Sequence, residues 1–233
     1  MKNEFIKMSD EEYHATDALS HSGIIQLLRS PAHYKAPRKV SPAMDFGRAF
    51  HLATLQPEKF AETYLVKPDG MSFATKDGKA WRAYAEDFGR QIITAEAHQE
   101  IRGMSRAILS SQAAMAYLVA GGETEVSGFW DDPVYPEIRC RMRADYYDGK
   151  VIVDLKKCMD ARKDAFTRDA FKYGYHIEAA WYLYGAGQIT GREHRDFVFV
   201  AVESDPPHGV QVYRVDGTGD FVQYGLTQCN RAI

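Results

Sequence analysis

Cysteine is scarce in this chain. Only Cys140, Cys158 and Cys229 occur, with no C-x-x-C spacing. An odd, scattered trio supports neither a disulfide scaffold nor a thiolate zinc site and fits a reducing compartment. Long apolar runs are also missing. None approaches the roughly 20 residues of a bilayer span, and the N-terminal MKNEFIKMSDEEYH has no apolar signal core. A cytoplasmic protein without a membrane partner is expected. There is no internal repeat, low-complexity tract or interdomain linker, although KPDGMSFATKDGKAW (67–81) reads as a long exposed loop. An excess of positive charge is absent too, the formal net charge being −3. That leaves nucleic-acid binding open: a local groove of Arg and Lys matters more than the sum, and a metal-binding carboxylate cluster would pull the total down.

What is present is an ordinary globular composition, 45% hydrophobic and 26% charged over 233 residues, enough for a sizeable core in one domain. The first half, 1–120, reads as helical. DALSHSGIIQLLRS opens on cap residues and stops at Pro31. AMDFGRAFHLATL places Phe46, Ala49, Phe50 and Ala53 on one buried stripe. One long helix is expected from Thr94, an N-cap, to about Val119, before Gly121-Gly122. From residue 121 the period changes. ETEVSGFW, EIRCRMRADYY and KVIVDLKK read as strands, ARKDAFTRDAFKYG and YHIEAAWYLYGAGQI as helices, and DFVFVAVE and GVQVYRVD as two more strands. This order predicts an α/β fold, a central mixed sheet flanked by helices, with a helical N-terminal portion. A last helix opens near Asp220 and is still running at Ile233, so the pattern reads as a chain trimmed at its C-terminus.

The charges that end the apolar strand at Val151-Ile152-Val153 are the unusual feature, because an unpaired buried charge is costly. Asp148-Gly149 is a strong two-residue hairpin signal. Pairing from it sets Tyr147 against Lys150 and Asp145 against Ile152. Alternation then puts Arg141, Arg143, Asp145, Ile152, Asp154 and Lys156 on one face. Asp145 and Asp154 become diagonal neighbours about 7 Å apart, a spacing at which two carboxylates can grip one hard cation. Magnesium suits such oxygen donors. Lys156 would orient or deprotonate an attacking water, or neutralise charge on a phosphate. On these residues alone, a cross-strand ion-pair ladder of Arg143 with Asp154 is the competing reading. His51, four residues after Gly47 in GRAFH, could be a metal ligand, but taken alone it reads better as a structural histidine. Glu178 and Tyr182 lie one helical turn apart.

Taken in order, G-x-x-x-H, Glu125, Asp145, D-x-K at 154–156 and Glu178-x-x-x-Tyr182 resemble the PD-(D/E)XK nuclease superfamily in its RecB-like branch. The likeness is greatest to the RecE-type exonucleases (exodeoxyribonuclease VIII). LRSPAHY, DFGRAFHLATLQPEKF, FWDDP, IRCRMRADYY and YGYHIEAAWY extend it over about residues 13–204. The resemblance implies a restriction-endonuclease-like core. Asp145, Asp154, the Leu155 carbonyl and His51 would hold Mg2+, with Mn2+ substituting. Lys156 would act on the water, and Glu125 and Glu178 would assist catalysis. Arg141, Arg143, Arg48 and Tyr182 are the candidate DNA contacts, with structural roles equally open for the arginines and helix packing favoured for Tyr182. The sequence departs from the family twice. Glu178 stands where glutamine is usual, and an acid cannot donate as an amide does; Lys157 stands where threonine is common.

The function so implied is 5′-to-3′ exonucleolytic hydrolysis at double-stranded DNA ends in phage or prophage recombination. A ring-shaped homo-oligomer and a single-strand annealing protein partner would accompany it. Two alternatives remain at this level: a RecB-like nuclease of other polarity or with a single-stranded or flap substrate, and a DNA-binding module that has lost its chemistry.

Overall fold

The computed structural model describes residues 2–37, 41–118 and 121–233. In chain order its elements are β1 (Glu4–Ile6), α1 (Asp10–Ala15), α2 (His21–Arg29), α3 (Pro31–Lys35), α4 (Pro42–Leu55), α5 (Pro57–Thr63), β2 (Tyr64–Val66), α6 (Lys76–Asp87), β3 (Gln91–Ile93), α7 (Ala95–Ser110), α8 (Gln112–Leu118), β4 (Glu123–Asp131), β5 (Arg139–Tyr147), β6 (Val151–Cys158), α9 (Lys163–Tyr173), α10 (Tyr175–Thr190), β7 (Asp196–Glu203), β8 (Val210–Asp216) and α11 (Asp220–Ala232). The α/β expectation holds: six strands form one mixed sheet in the order β1-β4-β5-β6-β7-β8. Every neighbouring pair is antiparallel except β6 and β7. A parallel pair needs a crossover, which α9 and α10 supply.

One face of the sheet packs against α2 and α10 through Trp130, Met142, Ile152, Trp181, Phe197 and Phe199. The other packs against α4 and α7 through Phe50, Ile101, Met104, Val153, Leu155 and Val200. Tolerance is small where helices meet. A Cβ at Gly225 of α11 would lie 2.0 Å from the His176 carbonyl oxygen of α10, so only glycine lets these helices approach so closely. Among the described residues no helix is long and apolar enough to cross a membrane.

Four expectations change. The helix beginning at Thr94 stops at Ser110, where Ser111 turns extended (ψ 110°) and its N–H bonds Ile108; α8 then starts afresh. The predicted end, Val119, lies outside the described residues. The loop at 67–81 is shorter than expected, because Thr75 accepts from the Gly78 N–H and caps α6. The N-terminal strand β1, too short to show a period, adds an edge to the main sheet. In the hairpin, Tyr147 pairs with Ile152, and Asp148 closes the turn by accepting from the N–H groups of Lys150 and Val151. The turn is centred one residue later than predicted, because Asp148 serves as the cap and Gly149, at φ +90°, supplies the left-handed position.

Candidate active site

The site begins with a break in alternation. Cys140, Met142 and Ala144 of β5 face α10, but beyond them it is Tyr147, not Tyr146, that packs on that side. The phase slips at Asp145. Its neighbour on β4, Glu125, sits at φ +52°, and Glu125 and Asp145 are the one opposed position that drops out of a ladder pairing Thr124 with Tyr146 and Val126 with Ala144. A left-handed non-glycine residue inside a strand is strained by about 1–3 kcal/mol. Here the strain turns two carboxylates out of the regular alternation.

The slip overturns the shared face predicted for the whole constellation. Asp154 and Lys156 lie in register with Phe199 and Ala201, hence on the α10 side. Arg141 and Arg143 alternate with Cys140, Met142 and Ala144 and so point to the opposite side. A one-residue slip reverses every side chain beyond it.

Asp145 lies between these two sets. Its Oδ2 accepts from the Leu155 N–H at 2.7 Å, and its Oδ1 is 3.1 Å from His51 Nδ1. His51 Nε2 is in turn 3.1 Å from the Leu155 carbonyl oxygen. Burial opposes a charged imidazole, but the Asp145 carboxylate outweighs it and pushes His51 up to about 9. Burial likewise works against the Asp145 carboxylate, and His51 holds it below the usual range. Glu125 is pushed up to about 7 by burial and by Asp145 beside it.

His51, Glu125 and Asp145 offer one donor atom each within 4.8 Å of one another. They fit a divalent cation in kind: two hard carboxylates and an imidazole, with the Leu155 carbonyl against the same ring. Binding there requires His51 to give up the proton it shares with Asp145. Asp154 is not one of the three, but it lies close enough for the Asp145 charge to help raise its pKa and for its own charge to help raise that of His51.

Asp154 belongs to a second cluster. Its Oδ2 is 2.6 Å from Lys156 Nζ, a close ion pair. Lys156 Nζ is also 2.7 Å from Glu178 Oε2 and 4.5 Å from the centre of the Tyr175 ring. Burial and then Glu178 push Asp154 well above the usual carboxylate range. Burial works against the Lys156 charge, but Asp154 and Glu178 together raise it well above the ordinary lysine value. Glu178 comes from the first turn of α10, which starts sharply after Gly174 at φ +77°. Its other oxygen is 3.5 Å from His21 Nε2 of α2. Sequence reading missed His21, because nothing in ALSHSG distinguishes it before α2 is packed on α10.

The remaining candidates are placed as follows. Arg141 donates to the carbonyls of Tyr13 and Thr16 and stacks on Tyr13. Arg143 bonds Ser127, the Ser9 carbonyl and Asp10, and Arg48 reaches Asp10 at 3.2 Å. All three guanidinium groups are thus committed to the N-terminal segment. Tyr182 is 4% exposed and packs in the core, its ring edge-on to His21. Lys157, turned to the other face as expected, pairs with Glu100.

The family described as PDDEXK-like domain of unknown function (DUF3799) matches residues 20–233, and the chain belongs to it. Among solved structures, the crystal structure of a "Putative exonuclease" from Eubacterium rectale is similar in fold. The TM-score is 0.65 at 16% identity, covering 97% of this chain and 84% of that one. SSO0001 is a far weaker likeness, with a TM-score of 0.35 at 10% identity over 91% of this chain and 83% of that one. No curated protein matches the sequence.

Proposed function

We propose that this member of the PDDEXK-like family is a divalent-metal-dependent nuclease. We further propose that it degrades linear double-stranded DNA exonucleolytically, in the 5′-to-3′ direction. The observation that carries the reading is the adjacency of two clusters, His51–Glu125–Asp145 and Asp154–Lys156–Glu178, bridged through the Leu155 backbone. The first set is suited to hold Mg2+ or Mn2+, with Asp154 next to it. A cation held there would supply charge stabilisation at the scissile phosphate and a more acidic water.

The chain's own residues do the rest. Asp145 fixes the His51 ring and the Leu155 amide, so the Leu155 carbonyl stays aimed at the site. Glu178 and Asp154 keep Lys156 charged and pointed in one direction. Lys156 then meets the phosphate as a cation that stabilises the added negative charge. For a lysine this firmly protonated, that role outweighs proton abstraction. Ring-shaped assembly and a recombination role with a single-strand annealing partner belong to the same reading and rest on the RecE-type motifs alone; a cytoplasmic location is proposed from the three scattered cysteines.

The test is digestion of linear duplex DNA labelled at the 5′ or the 3′ end, with magnesium, with EDTA, and with Asp154→Ala. Magnesium-dependent release from 5′ ends, absent in the variant, is expected. Binding without cleavage under any divalent ion would mark a site turned from catalysis to binding, the reading that the Glu178–Lys156 pair favours as second. Release from 3′ ends or from single strands would keep the nuclease and reject the polarity.

A further inference from the structure

The corner between α9 and α10 places an exposed aromatic ring beside the Lys156 cluster. Tyr173, the last residue of α9, is 53% exposed. Its ring centre is 6.0 Å from that of Tyr175, and Tyr175 in turn lies under the Lys156 ammonium. Two ring contacts therefore lead from solvent to the residue assigned to the phosphate. Gly174 makes the juxtaposition: its left-handed turn ends one helix and starts the next, so Tyr173 and Tyr175 flank the corner.

An exposed ring here is more than surface noise, because a cation accompanies it. Lys172 Nζ rests 4.9 Å from the Tyr173 ring centre and has no carboxylate partner among the described residues. An ammonium over a ring at an exposed site gains only about 0.5–1 kcal/mol. A phosphate would draw Lys172 away and uncover the ring face for a base. Aromatic rings beside cations are how proteins seat unpaired nucleotides without reading sequence, since every base has a π-face.

We propose that Tyr173 is a base-stacking platform at the rim of the site. It holds an unpaired nucleotide at a DNA end next to the phosphate that Lys156 meets, and Lys172 takes the neighbouring phosphate. The inference rests on the nuclease reading above and adds a substrate-positioning residue to it. Tyr173 positions; it touches neither of the two clusters assigned to the chemistry.

The experiment uses the full chain and blunt linear duplex DNA carrying 2-aminopurine as the terminal base of either strand. Binding is followed by anisotropy of a dye at the far end in EDTA, and cleavage in magnesium gives kcat and KM. Wild type is expected to quench 2-aminopurine at one terminus. Tyr173→Phe keeps the quenching. Tyr173→Ala loses it and raises KM on the order of tenfold, with kcat changed far less. Quenching by Tyr173→Ala equal to wild type, or wild-type binding with no quenching at either end, overturns the platform while leaving the nuclease intact. A wild type that neither binds nor cuts duplex DNA overturns both, and the anisotropy arm tells the two failures apart.

Discussion

Glu178 of α10 lies 2.7 Å from Lys156 of β6, a buried carboxylate and a largely buried ammonium from different elements joined where the helix begins. The glutamine usual in the RecE-type pattern that the sequence resembles would meet the ammonium with a neutral carbonyl; here a full charge does so. Removing one partner of a buried pair leaves the other uncompensated, at a cost of about 3–5 kcal/mol. Asp154 still faces Lys156, so the loss should sit at the low end. Glu178→Ala should therefore lower Tm clearly more than Glu178→Gln, which keeps an acceptor on Lys156 and restores the residue of the RecE-type pattern. If Glu178→Gln also keeps or raises nuclease turnover, the acid is a variant of the amide; a wild-type Tm in both variants would show that the pair contributes nothing.

Metal binding should read out in stability before it is read in activity. A cation that binds only the folded chain raises stability by about 2.7 kcal/mol at one hundred times its Kd. Wild type should gain Tm with Mg2+ or Mn2+, and Asp145→Asn should lose most of that gain. Asp145→Asn keeps a carbonyl oxygen that can accept from the Leu155 amide but removes the charge that holds the His51 proton. A gain in the variant matching wild type would place the cation elsewhere.

Arg143 should prove to be an anchor for the N-terminal segment. It holds Asp10, the Ser9 carbonyl and Ser127 from the strand face opposite Lys156. Arg143→Ala should expose residues before Leu19 to limited proteolysis while the fragment from about residue 20 onward persists. A phosphate-contacting role would show instead as a smaller dependence of DNA affinity on salt, by about one unit of slope.

The three thiols should be silent in the folded protein. Burial pushes Cys140 and Cys229 up to about 12 and Cys158 up to about 11 from an ordinary value of 9.0. At pH 8 a thiol reagent should modify none of them until denaturant is added, when all three should react. The linkage has a definite sign. The folded state keeps these protons longer than the unfolded one, so their contribution is complete below about pH 9 and is lost as pH rises through 11–12. A denaturation midpoint that climbs across that window would contradict it.

Periodicity carried far along this chain. The alternation in β4 to β8, the stripe of Phe46, Ala49, Phe50 and Ala53 in α4, and the order of motifs were all legible, because each depends on neighbours only two to four residues away. The helix break at Ser111 and the start of α6 at Thr75 were harder to read. Both rest on single capping bonds that compete with a continuing pattern.

The site divides in the same way. The sequence by itself singled out the candidate residues for the chemistry: a histidine on a helix, acids on adjacent strands and a lysine two places after Asp154. Only tertiary structure decided how they are partnered. The φ of +52° at Glu125 and the slip at Asp145 cannot be read from a period of two, since they replace it. They send Arg141 and Arg143 to the N-terminal helix, turn Asp145 to His51, and leave Asp154 to Lys156. His21 joins Glu178 from 157 positions away in the chain, and Tyr173 reaches the site around a left-handed glycine. Local pattern fixes which way a side chain leaves a regular backbone; where the backbone is irregular, packing fixes it instead.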